Sequence, residues 1–253
     1  MKQLDPLIKN SLVKKVLRKT GIRKPYAKQI KTDHYRMPIL EDNGGFLALK
    51  KYDGPSIPKS EWENLEYITY PTDPNTFFAP LASANGKVEM SGFWEEGKTD
   101  KDGIWTDNAK KAPHLKKWVE SLGVNFGRVQ LLRMSPNSLR EARWGLHLDD
   151  NNRLNPKKSG WVVRIWLELT DDPTSYMVLR KNDLNRAEEV RLPLPKFTQM
   201  VVDSEYLFHG VHHGGNKTRY GLIVSGESGP KLEKWIKSQL PDEEQIRPKW
   251  LDK

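Results

Sequence analysis

The sequence predicts a mainly β fold with flanking helices, built on a double-stranded β-helix, the jelly-roll core. Three observations point to it. From Arg128 onward, short apolar runs recur at regular spacing and are broken by turn residues such as Ser135-Pro136-Asn137-Ser138 and Asn182-Asp183-Leu184-Asn185. The sharpest run, Trp161 to Leu169, sets Arg164, Trp166 and Glu168 against Val163, Ile165 and Leu167, the period-two alternation of a strand. No run approaches the length of a membrane span, and the mean hydropathy is −0.74, so a soluble protein is expected.

The elements follow in chain order. Leu7, Ile8, Leu12, Val13, Val16 and Leu17 fall at helical spacing over residues 5–19, with lysines between them and Gly21 as a stop. Residues 25–112 alternate Pro, Gly, Asp and Asn with short β-type pieces, Phe46 to Leu49 and Tyr67 to Tyr70, which suits outer strands and substrate loops. His114 to Leu122 carries Leu115, Trp118, Val119 and Leu122 on one face and closes on Gly123, as a helix does. Strands are expected around Val129–Leu131, at His147, at Trp161–Leu169, at Tyr176–Arg180 with Glu189–Leu194, at Met200–Phe208 and at Tyr220–Val224. Leu232–Leu240 reads as a helix. The expected organisation is one domain over residues 1–253. It comprises a basic helical arm (1–31), a metal-binding jelly-roll core (128–226) and a helical tail (229–253).

The net charge of +9 is concentrated in the arm. Ten lysines and arginines in residues 1–31 stand against Asp5 alone, so the other 222 residues sum to zero. A basic arm on a neutral body suits docking to an anionic partner, nucleic acid, acidic protein or membrane surface; a solvated helix face is the plain alternative. The chain has no cysteine, which removes disulfides, zinc-thiolate sites and cysteine nucleophiles and leaves His and carboxylate as metal ligands. With no secretory signal at the start, the expected location is cytoplasmic.

The chemistry-bearing stretch is Trp144-Gly145-Leu146-His147-Leu148-Asp149-Asp150. On a strand, His147 and Asp149 share a face. A third ligand is available from Phe208-His209-Gly210-Val211-His212-His213, where His209 leads and His212 and His213 are rivals. Two imidazoles and a carboxylate on one face of an ion, with the other positions open, is the arrangement of non-haem Fe(II) oxygenases. Arg219 offers a planar fork matched to a carboxylate. Asn151 and Arg153, in the polar loop after Asp149, and Trp166 and His212 are candidates to line the substrate pocket.

With His147-Leu148-Asp149, His209 and Arg219 in this order, the sequence resembles the Fe(II)- and 2-oxoglutarate-dependent dioxygenases. The nearest likeness is to their aspartyl/asparaginyl β-hydroxylase-like branch. Leu131 to Pro136, Arg164 to Leu169 and Val202 to His212 leading to Arg219 carry it, within residues 128–226. The resemblance implies a metal site of His147, Asp149 and His209, and Arg219 on the far carboxylate of 2-oxoglutarate with Arg164 as a second contact. It implies Fe(II), 2-oxoglutarate and O₂ as cofactors, and hydroxylation of an amino acid or a peptide or protein side chain with release of succinate and CO₂. Animal aspartyl hydroxylases lack the carboxylate that Asp149 supplies and place a His where this chain has Trp166, which bears on the substrate. Halogenation is disfavoured, because similar halogenases carry a small residue where Asp149 stands. The alternative is a cupin-like protein of other chemistry, or of none, docking through its basic arm; Arg219 speaks against it.

Overall fold

Alternating apolar strands must bury one face, and in the computed structural model two antiparallel sheets do so against each other. The structure describes residues 32–69, 76–89, 91–182 and 185–252. The amphipathic stretch 5–19 and the basic arm lie outside the described residues.

The strands are β1 (Phe46–Leu49), β2 (Ile68–Thr69), β3 (Thr76–Ser83), β4 (Ile104–Trp105), β5 (Phe126–Met134), β6 (Val162–Glu168), β7 (Tyr176–Arg180), β8 (Val190–Pro193), β9 (Gln199–Val202), β10 (Phe208–His212) and β11 (Arg219–Glu227). The larger sheet runs β1-β9-β6-β11-β5-β3-β2 with β4 on β3, and the smaller runs β10-β7-β8. One core lies between them: Leu132, Trp166, Met200, Val202 and Ile223 from the large sheet pack with Met177, Leu179 and Leu192 from the small one. This is the jelly roll that the alternation predicts, and it extends beyond residues 128–226. Phe46–Leu49 pairs with β9 and Thr76–Ser83 with β5, so the first half of the chain supplies sheet as well as loops.

The helices are α1 (Pro38–Glu41), α2 (Ser60–Glu63), α3 (Asp107–Lys110), α4 (Pro113–Ser121), α5 (Leu139–Trp144) and α6 (Pro230–Ser238). Helix α4 buries Leu115, Trp118 and Val119, as its spacing requires, and Gly123 beyond it has φ +68°, the left-handed conformation that ends helices. The C-terminal segment is more than a tail. Leu232 and Ile236 of α6 are fully buried, and Trp250 joins the central core while donating its indole N–H to the Gly44 carbonyl at 3.1 Å.

Two expectations are corrected. The run Met200–Phe208 is two strands, because Asp203 to Leu207 form a turn; the Asp203 carboxylate accepts from Arg36, from the Trp161 indole at 3.1 Å and from the Tyr206 N–H at 3.1 Å. His147 is not on a strand. Ser138 and Glu141 form a capping box that starts helix α5 there, so His147 meets β10 through a single antiparallel bridge to His209. The expected pairing of Tyr176–Arg180 with Glu189–Leu194 is found, β7 against β8, with a 3₁₀ turn, Arg186–Glu188, before β8.

Helix α5 lies over the outer face of the small sheet, where Leu146, Val178 and Phe208 make a second cluster. A Cβ at Gly210 would stand 3.1 Å from the Ala142 carbonyl, so the absent side chain sets how closely helix and strand approach. Arg143 of α5 closes on Glu189 with two bonds of 2.9 and 2.8 Å, and Glu189 also accepts from Arg180 and Arg191. Burial works against the Glu189 charge, but the three arginines outweigh it and hold its carboxyl at about 2. This clamp fixes the helix that precedes His147.

Candidate metal centre

His147, Asp149 and His209 come together, each offering one donor atom, with all three atoms within 4.8 Å of one another. Two local devices assemble them. The bridge between His147 and His209, with N–H to carbonyl distances of 3.2 and 3.0 Å, sets the two imidazoles side by side at 4.4 Å between ring centroids. The Asp149 N–H donates to the Ser204 carbonyl at 2.9 Å, which hangs the carboxylate from the turn between β9 and β10.

The tautomers follow from the acceptors. His147 Nδ1 lies 2.8 Å from the Gly145 carbonyl and His209 Nδ1 3.2 Å from the Leu207 carbonyl. A carbonyl only accepts, so Nδ1 carries the proton on both rings and each Nε2 keeps its lone pair. Burial and the neighbouring His147 lower the His209 pKa to about 4, leaving it a neutral ligand at physiological pH. Asp149 is held from behind. Arg164 Nε donates to its Oδ2 at 2.7 Å, Asn151 Nδ2 stands 3.4 Å from the same oxygen, and Oδ1 is left toward His147 Nε2 at 3.8 Å. Burial alone would raise this carboxyl, yet Arg164 and the two imidazoles prevail and keep it well below the usual carboxylate range.

This donor set fits a divalent first-row ion: two neutral imidazoles, one ionised carboxylate, and imidazole orientation fixed by outer hydrogen bonds. The donors are spread wider than the roughly 3 Å between neighbouring ligands of such an ion, given metal–ligand bonds of about 2.1 Å. The His147 side chain is 55% exposed, so little packing opposes a shift that would close that gap.

Arg219 is 1% exposed at the start of β11. Its Nη2 donates to Glu168, while Nε and Nη1 are buried with no partner among the described residues. Orphaned donors of this kind are costly unless a ligand or water completes them. Glu168 shares its strand face with Trp166, and the Trp166 ring lies 6.0 Å from that of His209. The guanidinium therefore sits on the inner face of the barrel, about 6.6 Å further along β6 than Trp166, two residues at strand rise.

The remaining expected residues distribute differently. Arg164 has its three nitrogens on Asp149, Asn151 and Ser225, all protein groups, and so braces the carboxylate ligand. Asn151 joins that brace and also donates to the Ser204 hydroxyl at 3.1 Å. Arg153 pairs with Asp150 at 3.6 Å and lies 4.0 Å over the Trp94 ring. Trp166 is buried in the core. His212 falls three residues after His209 and so on the opposite face of β10, against Tyr176 at 4.8 Å; the structure does not bring it to the centre. His213 is buried against Ser175 at 2.8 Å and the Lys217 carbonyl at 2.5 Å, tying down the loop that leads to Arg219. Sequence reasoning missed Glu168 as the partner of Arg219, although its place in the alternation with Arg164 and Trp166 was a signal. It missed Ser225 and Asp100 altogether.

No protein-family model matches the sequence, and no curated protein matches it. Among solved structures the chain is similar to a 2OG-Fe(II) oxygenase family oxidoreductase from Burkholderia pseudomallei, with 14% identity over 78% of this chain and 95% of that one, TM-score 0.45. It is similar to a prolyl hydroxylase from Trichoplax adhaerens, in complex with a peptide fragment of the hypoxia inducible factor oxygen degradation domain (12% identity, 77% and 88% covered, TM-score 0.45). A third is HygX from Streptomyces hygroscopicus with nickel and 2-oxoglutarate bound, at 12% identity, 75% and 85% covered and TM-score 0.42. Among the described residues no helix is long and apolar enough to cross a membrane.

One neighbour of the centre carries a pH signature. Burial pushes the Glu205 carboxyl up to about 7 against the pull of its bonds from the Asn152 main chain and side chain, with Asp150 and Asp203 adding repulsion. A raised folded-state value means that stability is full below the ordinary value of 4.5 and declines as pH rises toward 7. Glu205→Gln is expected to flatten that decline. Urea melts at intervals from pH 4.5 to 7.5 measure it, and parallel curves for the two proteins would refute it.

Proposed function

We propose that this chain is an Fe(II)- and 2-oxoglutarate-dependent oxygenase that hydroxylates an amino acid or a peptide or protein side chain, releasing succinate and CO₂. The observation that carries this reading is the pairing of an open two-His, one-carboxylate centre with a buried arginine holding two unpartnered N–H groups on the same inner face. Fe(II) with 2-oxoglutarate and O₂ supplies the oxidising power that an unactivated C–H bond requires, which no side chain can.

The protein's own contribution is positional and electrostatic. His147 and His209 present Nε2 lone pairs and Asp149 a single oxygen, the three donors that would hold the ion. Arg164 keeps Asp149 ionised and stops it from swinging to take a second position. Arg219 offers its Nε–H and Nη1–H to the distal carboxylate of the cosubstrate, a charge-assisted contact in a dry pocket. Trp166, Leu179, Ile223 and Met200 belong to the apolar core on this face of the sheet.

Anaerobic addition of Fe(II) and then 2-oxoglutarate to the purified protein tests this. A visible charge-transfer band that needs both additions, and succinate formation when air is admitted, are expected. No band at saturating concentrations of either would overturn the assignment.

A further inference from the structure

Arg164 braces Asp149, and something must in turn hold Arg164. Its neighbour across the strands is Ser225 of β11, in register with it and 0% exposed, and Arg164 Nη1 donates to the Ser225 hydroxyl. A hydroxyl that accepts one bond still has its own proton to give. Ser225 gives it to Asp100 Oδ2 at 3.0 Å, and the same oxygen lies 3.9 Å from Arg164 Nη1. Asp100 is buried in the loop before β4, and its other oxygen accepts the Arg128 main-chain N–H of β5 at 2.8 Å. The loop lies this close because β5 carries no side chain there: a Cβ at Gly127 would stand 2.1 Å from the Asp100 carbonyl oxygen. Asp149, Arg164, Ser225 and Asp100 thus form one buried file in which every bond runs outward from Arg164.

The far end of the file acts on the near end in two ways. One is orientation. With Nη1 on Ser225 and Nη2 on Asn151 Oδ1 at 2.8 Å, the planar guanidinium is turned so that Nε meets Asp149 Oδ2 and Oδ1 stays toward His147. The other is charge. One guanidinium faces two carboxylates, so Asp100 draws part of its field away from Asp149 and leaves that carboxylate more charge to offer an ion, an effect that burial strengthens.

We propose that Asp100 is a positioning residue of the metal centre, acting through Ser225 on Arg164 and through Arg164 on Asp149. The assignment rests on the reading of His147, Asp149 and His209 as that centre. A purely structural role is the alternative, since Oδ1 ties the loop to β5 whatever Oδ2 does. The two jobs fall on different oxygens and can be parted. Asp100→Asn keeps an acceptor for the Arg128 N–H but loses the charge and the acceptor for the Ser225 proton. Ser225→Ala cuts the file in the middle and leaves the bond between Asp100 and Arg128 in place.

The test is titration of the full-length protein with Co(II) alone, followed by its d–d absorption, with chemical melts alongside. The wild type is expected to bind, and His209→Ala to lose most of that binding. Asp100→Asn and Ser225→Ala should each weaken it by about tenfold or more, the usual consequence of removing a group that supports a metal ligand, and should alter the d–d bands, which follow the arrangement of the donors. The double variant should bind no more weakly than the weaker single one, because both substitutions cut the same file. Losses that add in full would mean that the Asp100 charge acts across space and not through Ser225. Wild-type affinity with unchanged bands in either single variant would mean that Asp100 only ties the loop, and either result overturns the proposal. Should Asp100→Asn not fold, Ser225→Ala decides by the same two readouts. If the wild type does not bind Co(II), or His209→Ala binds it equally well, the metal centre falls and this assignment with it. Binding that is lost in His209→Ala but unaffected in the other two variants removes the role of Asp100 alone.

Discussion

Arg219→Ala is expected to lower folding stability by about 3–5 kcal/mol as well as to weaken 2-oxoglutarate binding, since it leaves Glu168, 2% exposed, without its cation. Burial already pushes the Glu168 carboxyl up, so the variant is expected to take up a proton there, which limits the loss at low pH. The structural and binding roles can be parted. Replacing both members with apolar residues, Arg219→Met with Glu168→Leu, removes the desolvated charges together and should restore most of the stability. It should not restore cosubstrate affinity, for which the loss of Arg219 is expected to cost about 2–5 kcal/mol. Chemical melts and calorimetry on the three proteins measure the two quantities separately. A double variant that is as unstable as Arg219→Ala would show that the pair matters for something other than charge compensation. Unchanged 2-oxoglutarate affinity in it would remove Arg219 from the cosubstrate site.

His209→Ala is expected to abolish turnover and metal retention, with the fold largely intact because the backbone bridge to His147 does not depend on the ring. His147→Ala should behave in the same way, the more so because its side chain is over half exposed and carries little of the packing. Asp149→Ala should lose the metal and some stability too, since Arg164 would lose its 2.7 Å bond to the carboxylate and be left leaning on Asn151 and Ser225. His212→Ala, on the other face of β10, is the control and should keep both properties. Equilibrium dialysis against Fe(II) under argon, with melts alongside, distinguishes ligand loss from unfolding. Metal retained at wild-type affinity in His209→Ala, or lost in His212→Ala, would place the third ligand elsewhere.

The strands at Trp161–Leu169, Tyr176–Arg180 and Tyr220–Val224 were legible because each is buried on at least one face and so must alternate or run apolar. Helix α4 was legible because its apolar stripe and Gly123 are local signals. The identities of His147, Asp149, His209 and Arg219 as a group were legible from residue type and order, because few chemistries use that set. The placement of His147 was not. A capping box at Ser138 and Glu141 draws the preceding segment into a helix, and only the long-range bridge to β10 returns the imidazole to the centre. Met200–Phe208 misread as one strand for a similar reason, since its break depends on Arg36 and Trp161 meeting Asp203 across the fold.

By itself, then, the sequence determined the strand periodicity, the absence of cysteine chemistry, the concentration of charge in residues 1–31 and the types of metal donor, all of which are local or compositional properties. The tertiary structure decided what each charge answers to. Alternation puts Arg164, Trp166 and Glu168 on one face but cannot say that Arg164 turns to Asp149 or that Glu168 turns to Arg219. Those pairings join residues 15 and 51 positions apart, and for Ser225 and Asp100 125 apart, and are fixed by sheet register and buried geometry, which no window of sequence contains.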